Sequence, residues 1–93
     1  MDRRSHIEAR LRAELAASHV DVADESHLHA GHAGAASGGG HFRATVVSDR
    51  FAGLSRVARQ RLVFDVLAAE MRAEIHALAL KTFTPGEWAA RAD

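Results

Sequence analysis

Ninety-three residues make one small domain, and a chain of this size buries only about 60–65% of the surface it exposes when unfolded. With 47% hydrophobic and 26% charged residues the composition is globular rather than disordered. Twelve basic residues balance twelve acidic ones, which argues against nucleic-acid binding by bulk charge. The absence of Cys excludes disulfides, thiolate metal sites and thiol catalysis.

Ile7, Leu11 and Leu15 form an apolar stripe that predicts a first helix running to about Ala17. Ser5 with Glu8 fits a capping box at its start, and Asp2 fits an earlier cap. His19 to Asp24 alternates as a half-buried strand with Val20 and Val22 inward. Residues from about 25 to 41 hold Gly31, Gly34, Gly38, Gly39 and Gly40 and show no periodicity, the composition of a flexible loop. Phe42 to Ser48 is the clearest strand, with Phe42, Ala44 and Val46 on one face, pairing antiparallel with the first.

A turn over Asp49 to Gly53 leads to a helix from the N-cap Ser55 to about Glu74. Val57, Leu62, Val63, Val66, Leu67 and Met71 form its apolar face, and the sequence leaves open whether a short break near Ala58 to Gln60 splits it into a helix-turn-helix. Ile75 to Leu80 reads as a third strand, parallel to the second by a right-handed crossover. Alternation puts His76 on the face of Leu78 and Leu80, opposite Ile75, Ala77 and Ala79. Thr84-Pro85-Gly86-Glu87 then starts a short helix carrying Trp88. The order α-β-β-α-β-α implies an α+β fold, a three-stranded mixed sheet with helices packed on it, as one domain over residues 1–93.

Seven His residues stand out in so short a chain, four of them at His27, His29, His32 and His41. Imidazole is a common neutral metal ligand, although most loop histidines are simply solvated. His76 differs in lying within an otherwise aliphatic strand. The N-terminus has no apolar stretch of signal-peptide length and no window approaches a membrane span, so the expected location is cytoplasmic.

Several blocks, taken in order, resemble the BolA family: Asp24-Glu25-Ser26 with His29; His41-Phe42-Arg43; Val46-Val47-Ser48-Asp49-Arg50-Phe51 with Gly53; Arg59-Gln60-Arg61-Leu62-Val63; Ile75-His76-Ala77-Leu78-Ala79-Leu80 with Thr82; Thr84-Pro85; and Glu87-Trp88. The resemblance implies a fold similar to class II KH domains. It also implies a monothiol glutaredoxin partner, with a [2Fe–2S] cluster held jointly by the glutaredoxin thiolate, glutathione and this chain's histidines. The isolated chain, a monomer or weak homodimer, would hold no cluster. His76 is the implied ligand, with His29 the second and His32 or His27 as substitutes. Two imidazoles on one iron are Rieske-like ligation, which raises the potential and makes it sensitive to pH. The family's usual Arg-His-Arg is Arg59-Gln60-Arg61 here, and Gln cannot be protonated.

Some members of the family are described as DNA-binding transcriptional regulators. Arg50, Arg56, Arg59 and Arg61 would then meet the phosphates of duplex DNA, against the simpler reading of a solvated helix face. Gly31-His32-Ala33-Gly34 matches a GxxG loop but lies between strands rather than helices, and the few aromatics argue against base stacking. Nothing assembles a catalytic constellation, so the chain is not read as an enzyme.

Overall fold

The structure is a computed structural model and describes residues 2–26 and 40–91. Helix α1 spans Arg3–Leu15, strand β1 His19–Asp24 and strand β2 Gly40–Val47. A 3-10 turn at Asp49–Phe51 leads to helices α2 (Arg56–Val66) and α3 (Ala68–Ala73), strand β3 (Ile75–Phe83) and helix α4 (Pro85–Ala90). The sheet order is β1-β2-β3, with β1 antiparallel and β3 parallel to β2. This is the α+β arrangement expected from the sequence.

The helical starts follow their caps. Asp2, not Ser5, caps α1 by accepting from the Ser5 amide at 2.8 Å. Glu8 is instead paired with Arg4 and Arg12 along the helix. Helix α1 stops at Leu15 rather than Ala17, because Ala16 turns into the left-handed region at φ 48°. The buried Ser48 donates its hydroxyl to the Leu15 carbonyl at 2.6 Å, satisfying an orphan helix-end acceptor and tying α1 to the end of β2.

One face of the sheet carries the core. Ile7, Leu11 and Leu15 pack on Val20, Val22, Phe42, Ala44 and Val46, and Phe51, Val63, Leu67 and Ile75 close the cluster. Fully burying a side chain of this size stabilises the fold by about 1.5–3 kcal/mol, which makes this face the main source of stability.

Two expectations for the middle helix are corrected. The break falls at Leu67, not at Ala58 to Gln60. Ser55 accepts from the Ala58 amide and Arg59 donates to the Ser55 carbonyl, so the first turn runs on unbroken. The chain turns where Leu67 itself is driven into the core. Val57 does not join the apolar face and is 59% exposed. At 100° per residue it sits about 120° around the helix from the buried Val63.

A third correction concerns His76. The β2–β3 ladder slips by one residue: Gly40 pairs with Ile75, but His41 pairs with Ala77. This is a bulge, with His76 as the extra residue. Ile75 lies in the core, and Leu78 and Leu80 pack against the same cluster. His76 is exposed on the opposite face, with its ring beside that of His41. Strict alternation fails because the bulge resets the phase. Gly40 fixes the position: a Cβ there would lie 2.4 Å from the Phe42 ring and 3.2 Å from Ser26 Oγ.

Candidate functional site

The second face of the sheet is formed by His19, Asp21 and Ala23 of β1, His41, Arg43, Thr45 and Val47 of β2, and Ala77, Ala79, Lys81 and Phe83 of β3, as pairing and alternation require. Its two ends differ. At one, α4 folds back over the strands. Trp88 stacks on His19 with ring centroids 4.8 Å apart, meets Phe83 at 5.2 Å and carries the Arg91 guanidinium on its ring. Val47 lies beneath, 1% exposed although outside the main core.

A capping box anchors this helix: Thr84 Oγ1 accepts from the Glu87 amide, and Glu87 accepts from the Thr84 amide. The Arg59 guanidinium grips both Glu87 oxygens at 2.6 and 3.1 Å and donates to the Leu54 carbonyl. The Arg59 hydrogen bond, then the Thr84 amide, hold the Glu87 carboxyl down at about 2.

At the other end no helix among the described residues covers the strands. His41 and His76 place their ring centroids 5.0 Å apart, tilted by 43°. Ser26 organises the approach: it accepts from the His41 amide through Oγ at 3.0 Å, and its own amide is held by Asp24 in a tight turn. Glu25 extends the β1–β2 ladder by donating its amide to the His41 carbonyl, and its carboxylate pairs with Arg43 at 3.3 Å. Glu25, His41, Arg43, Ala77 and Ala79 line an open hollow of about 330 Å³. An exposed imidazole, a half-buried one and two exposed alanines form a surface that can donate nitrogen ligands while a partner covers the small apolar residues.

Of the histidines expected to ligate, His76 lies here. His29, His32 and His27, like the GxxG match, fall outside the described residues. His41 is the neighbour that sequence reading did not single out as a ligand. Its signal was the strand register, which depends on the bulge. Of the arginines considered for phosphate contact, Arg50, Arg56 and Arg61 are exposed. Arg59 is only 13% exposed and committed to Glu87. Gln60 and Arg56 border a second hollow of about 280 Å³ along Leu80 to Phe83 of β3.

A separate cluster joins α1 to α3. His6 Nε2 lies 2.8 Å from Glu70 Oε2, and Arg10 Nε approaches the same oxygen at 3.3 Å. Glu74 completes the group, with one potential ligand atom from each of His6, Glu70 and Glu74 lying within 4.8 Å of the others. Glu70 is 5% exposed. Burial pushes its carboxyl up, but its own backbone amide, His6 and Arg10 outweigh this and hold it below the ordinary range.

The sequence pattern of the BolA-like protein family matches residues 11–87. The chain is 42% identical over 85 residues to the DNA-binding transcriptional regulator BolA of Escherichia coli, covering 91% of this chain and 78% of that one. It is 48% identical over 82 residues to the Vibrio cholerae protein of the same name, covering 88% and 74%. Among solved structures it is similar to the BolA domain of SufE1 from Arabidopsis thaliana, with a TM-score of 0.81, 38% identity and coverage of 94% and 96%. No helix among the described residues is long and apolar enough to cross a membrane.

Proposed function

This chain belongs to the BolA-like protein family, and from that premise we propose that it is a regulatory adaptor which pairs with a monothiol glutaredoxin and co-ligates a [2Fe–2S] cluster through His76 and His29. The observation that carries this reading is the exposed imidazole at the bulge of β3, beside His41, on the end of the sheet that no described helix covers.

The donor set fits such a cluster only as a shared one. The sequence has no Cys, so thiolates must come from the partner and glutathione, and this chain contributes neutral nitrogen. The bulge presents His76 outward, free of the core. Ser26 anchors the end of β1 to the His41 amide beside it. Ala77 and Ala79 let a partner backbone approach closely. When bound, the cluster supplies a one-electron centre whose potential is raised by neutral ligands. A protonated imidazole cannot bind a metal, so acid disfavours the complex.

The test is visible absorption and circular dichroism of a reconstituted [2Fe–2S] monothiol glutaredoxin with glutathione, titrated with this protein. Wild type changes the spectrum, His76→Ala does not, and His29→Ala identifies the loop ligand. An unchanged spectrum with no complex on size exclusion sinks the proposal.

A second reading is DNA binding, favoured by the names of the Escherichia coli and Vibrio cholerae relatives. Here Arg50, Arg56 and Arg61 would meet phosphates, because Arg59 is engaged with Glu87. Binding to duplex DNA that falls steeply with salt, and whose salt slope drops by about one in Arg61→Ala, would support it.

A further inference from the structure

We propose that His6, Glu70 and Glu74 form a divalent-cation site of the zinc class, fastening helix α1 to helix α3. It shares no residue with the imidazole pair on the sheet and stands independently of the glutaredoxin reading.

Imidazole and carboxylate are both zinc ligands, and three protein ligands leave the fourth tetrahedral position to water. The three residues converge from two helices that are distant in sequence. Glu70 and Glu74 are one turn apart on α3 and at its C-cap, and His6 reaches across from α1. Their ligand atoms already lie within 4.8 Å of one another. Ligands held at about 2.0–2.1 Å around a tetrahedral ion are about 3.3 Å apart. The His6–Glu70 contact of 2.8 Å therefore needs to open by only about half an ångström, which the partly exposed His6 ring can absorb.

The independent observation is Glu70 Oε1. It is buried in a residue only 5% exposed and no side chain reaches it, since His6 and Arg10 both address Oε2. A buried carboxylate oxygen without a side-chain partner has a lone pair to spare, and a cation is one group able to use it. Two carboxylates neutralise the ion's charge. Arg10 opposes it, 3.3 Å from the same Glu70 Oε2 that His6 contacts, but is also held by the Val66 carbonyl and by Glu14.

The test uses the full chain and zinc chloride, with long-range proton–nitrogen spectra of the imidazoles and thermal melts as readouts. The expected result is a metal-bound shift at His6 Nε2 and a zinc-dependent rise in melting temperature. Glu74→Gln should weaken that response at least about tenfold while leaving the zinc-free melt unchanged. Zinc that perturbs other imidazoles but leaves His6 unmoved would overturn the proposal. So would a Glu74→Gln variant that responds as wild type does. In either case His6–Glu70–Arg10 is an ionic link between helices and nothing more.

Discussion

The two ends of the second sheet face carry similar residue types and have opposite fates. At one end His19 is roofed by Trp88, and Val47 beneath it is as buried as a core residue. At the other, His76 is exposed and His41 half-buried, beside Glu25, Arg43 and the small Ala77 and Ala79. The difference lies in the segment that leaves each end of the strands. Thr84 to Trp88 folds back over one end and is locked there by Arg59, whereas no described helix crosses the other. An imidazole in a sheet is thus structural or available according to whether a neighbouring segment covers it.

That contrast can be broken from the covered side first. Trp88→Ala should cost about 2–3 kcal/mol in urea denaturation, somewhat below a fully buried Trp because Trp88 is half-buried. It should leave the environment of the His41 and His76 rings unchanged by NMR. Next in size, Gly40→Ala should cost about 1–3 kcal/mol, since the new methyl collides with the Phe42 ring. This change should also move the His41 and His76 resonances, because it displaces the bulge that pairs them.

Acid should loosen the covered end selectively. Glu87 is held at about 2 against an ordinary 4.5, so its contribution is complete above about 4.5 and is lost as pH falls from there towards 2. The melting temperature should fall through this window, and Glu87→Gln should flatten the fall while leaving a remainder due to Glu70, whose carboxyl is also held low. An identical pH profile in both proteins would show that the Arg59–Glu87 grip does not tie the helix down. Smallest of all, His76→Ala should change stability by less than about 0.5 kcal/mol, as expected for an exposed side chain. The same substitution abolishes the spectral change with glutaredoxin if His76 is the ligand, separating function from folding at a single position.

Much of the architecture is legible locally. Strand β1 runs from His19 to Asp24 as its alternation predicts, and Phe42, Ala44 and Val46 face inward as the same rule requires. The Thr84–Glu87 capping box is visible in four consecutive residues. The features hidden from a local reading depend on residues far apart in sequence. The outward turn of His76 comes from a bulge set by Gly40 against Phe42, and a period-2 rule has no way to anticipate an extra residue. Arg59 looks like a phosphate contact until Glu87, twenty-eight positions on, is brought beside it. His6 carries no signal until Glu70, sixty-four positions away, is placed 2.8 Å from it.

The parallel pairing of β2 with β3 joins Gly40 to Ile75 across the whole α2–α3 connection. A contact between residues so far apart in sequence pays its loop-closure entropy before it gains any pairing, so it belongs among the later events of folding. His41 and His76 become neighbours only through that pairing. The imidazole pair therefore exists only once that pairing has formed, and a nascent or partly unfolded chain offers a partner no such site. A partner that bridges the two strands there stabilises contacts formed after the rate-limiting step. Its kinetic signature is slower unfolding with little change in the rate of folding.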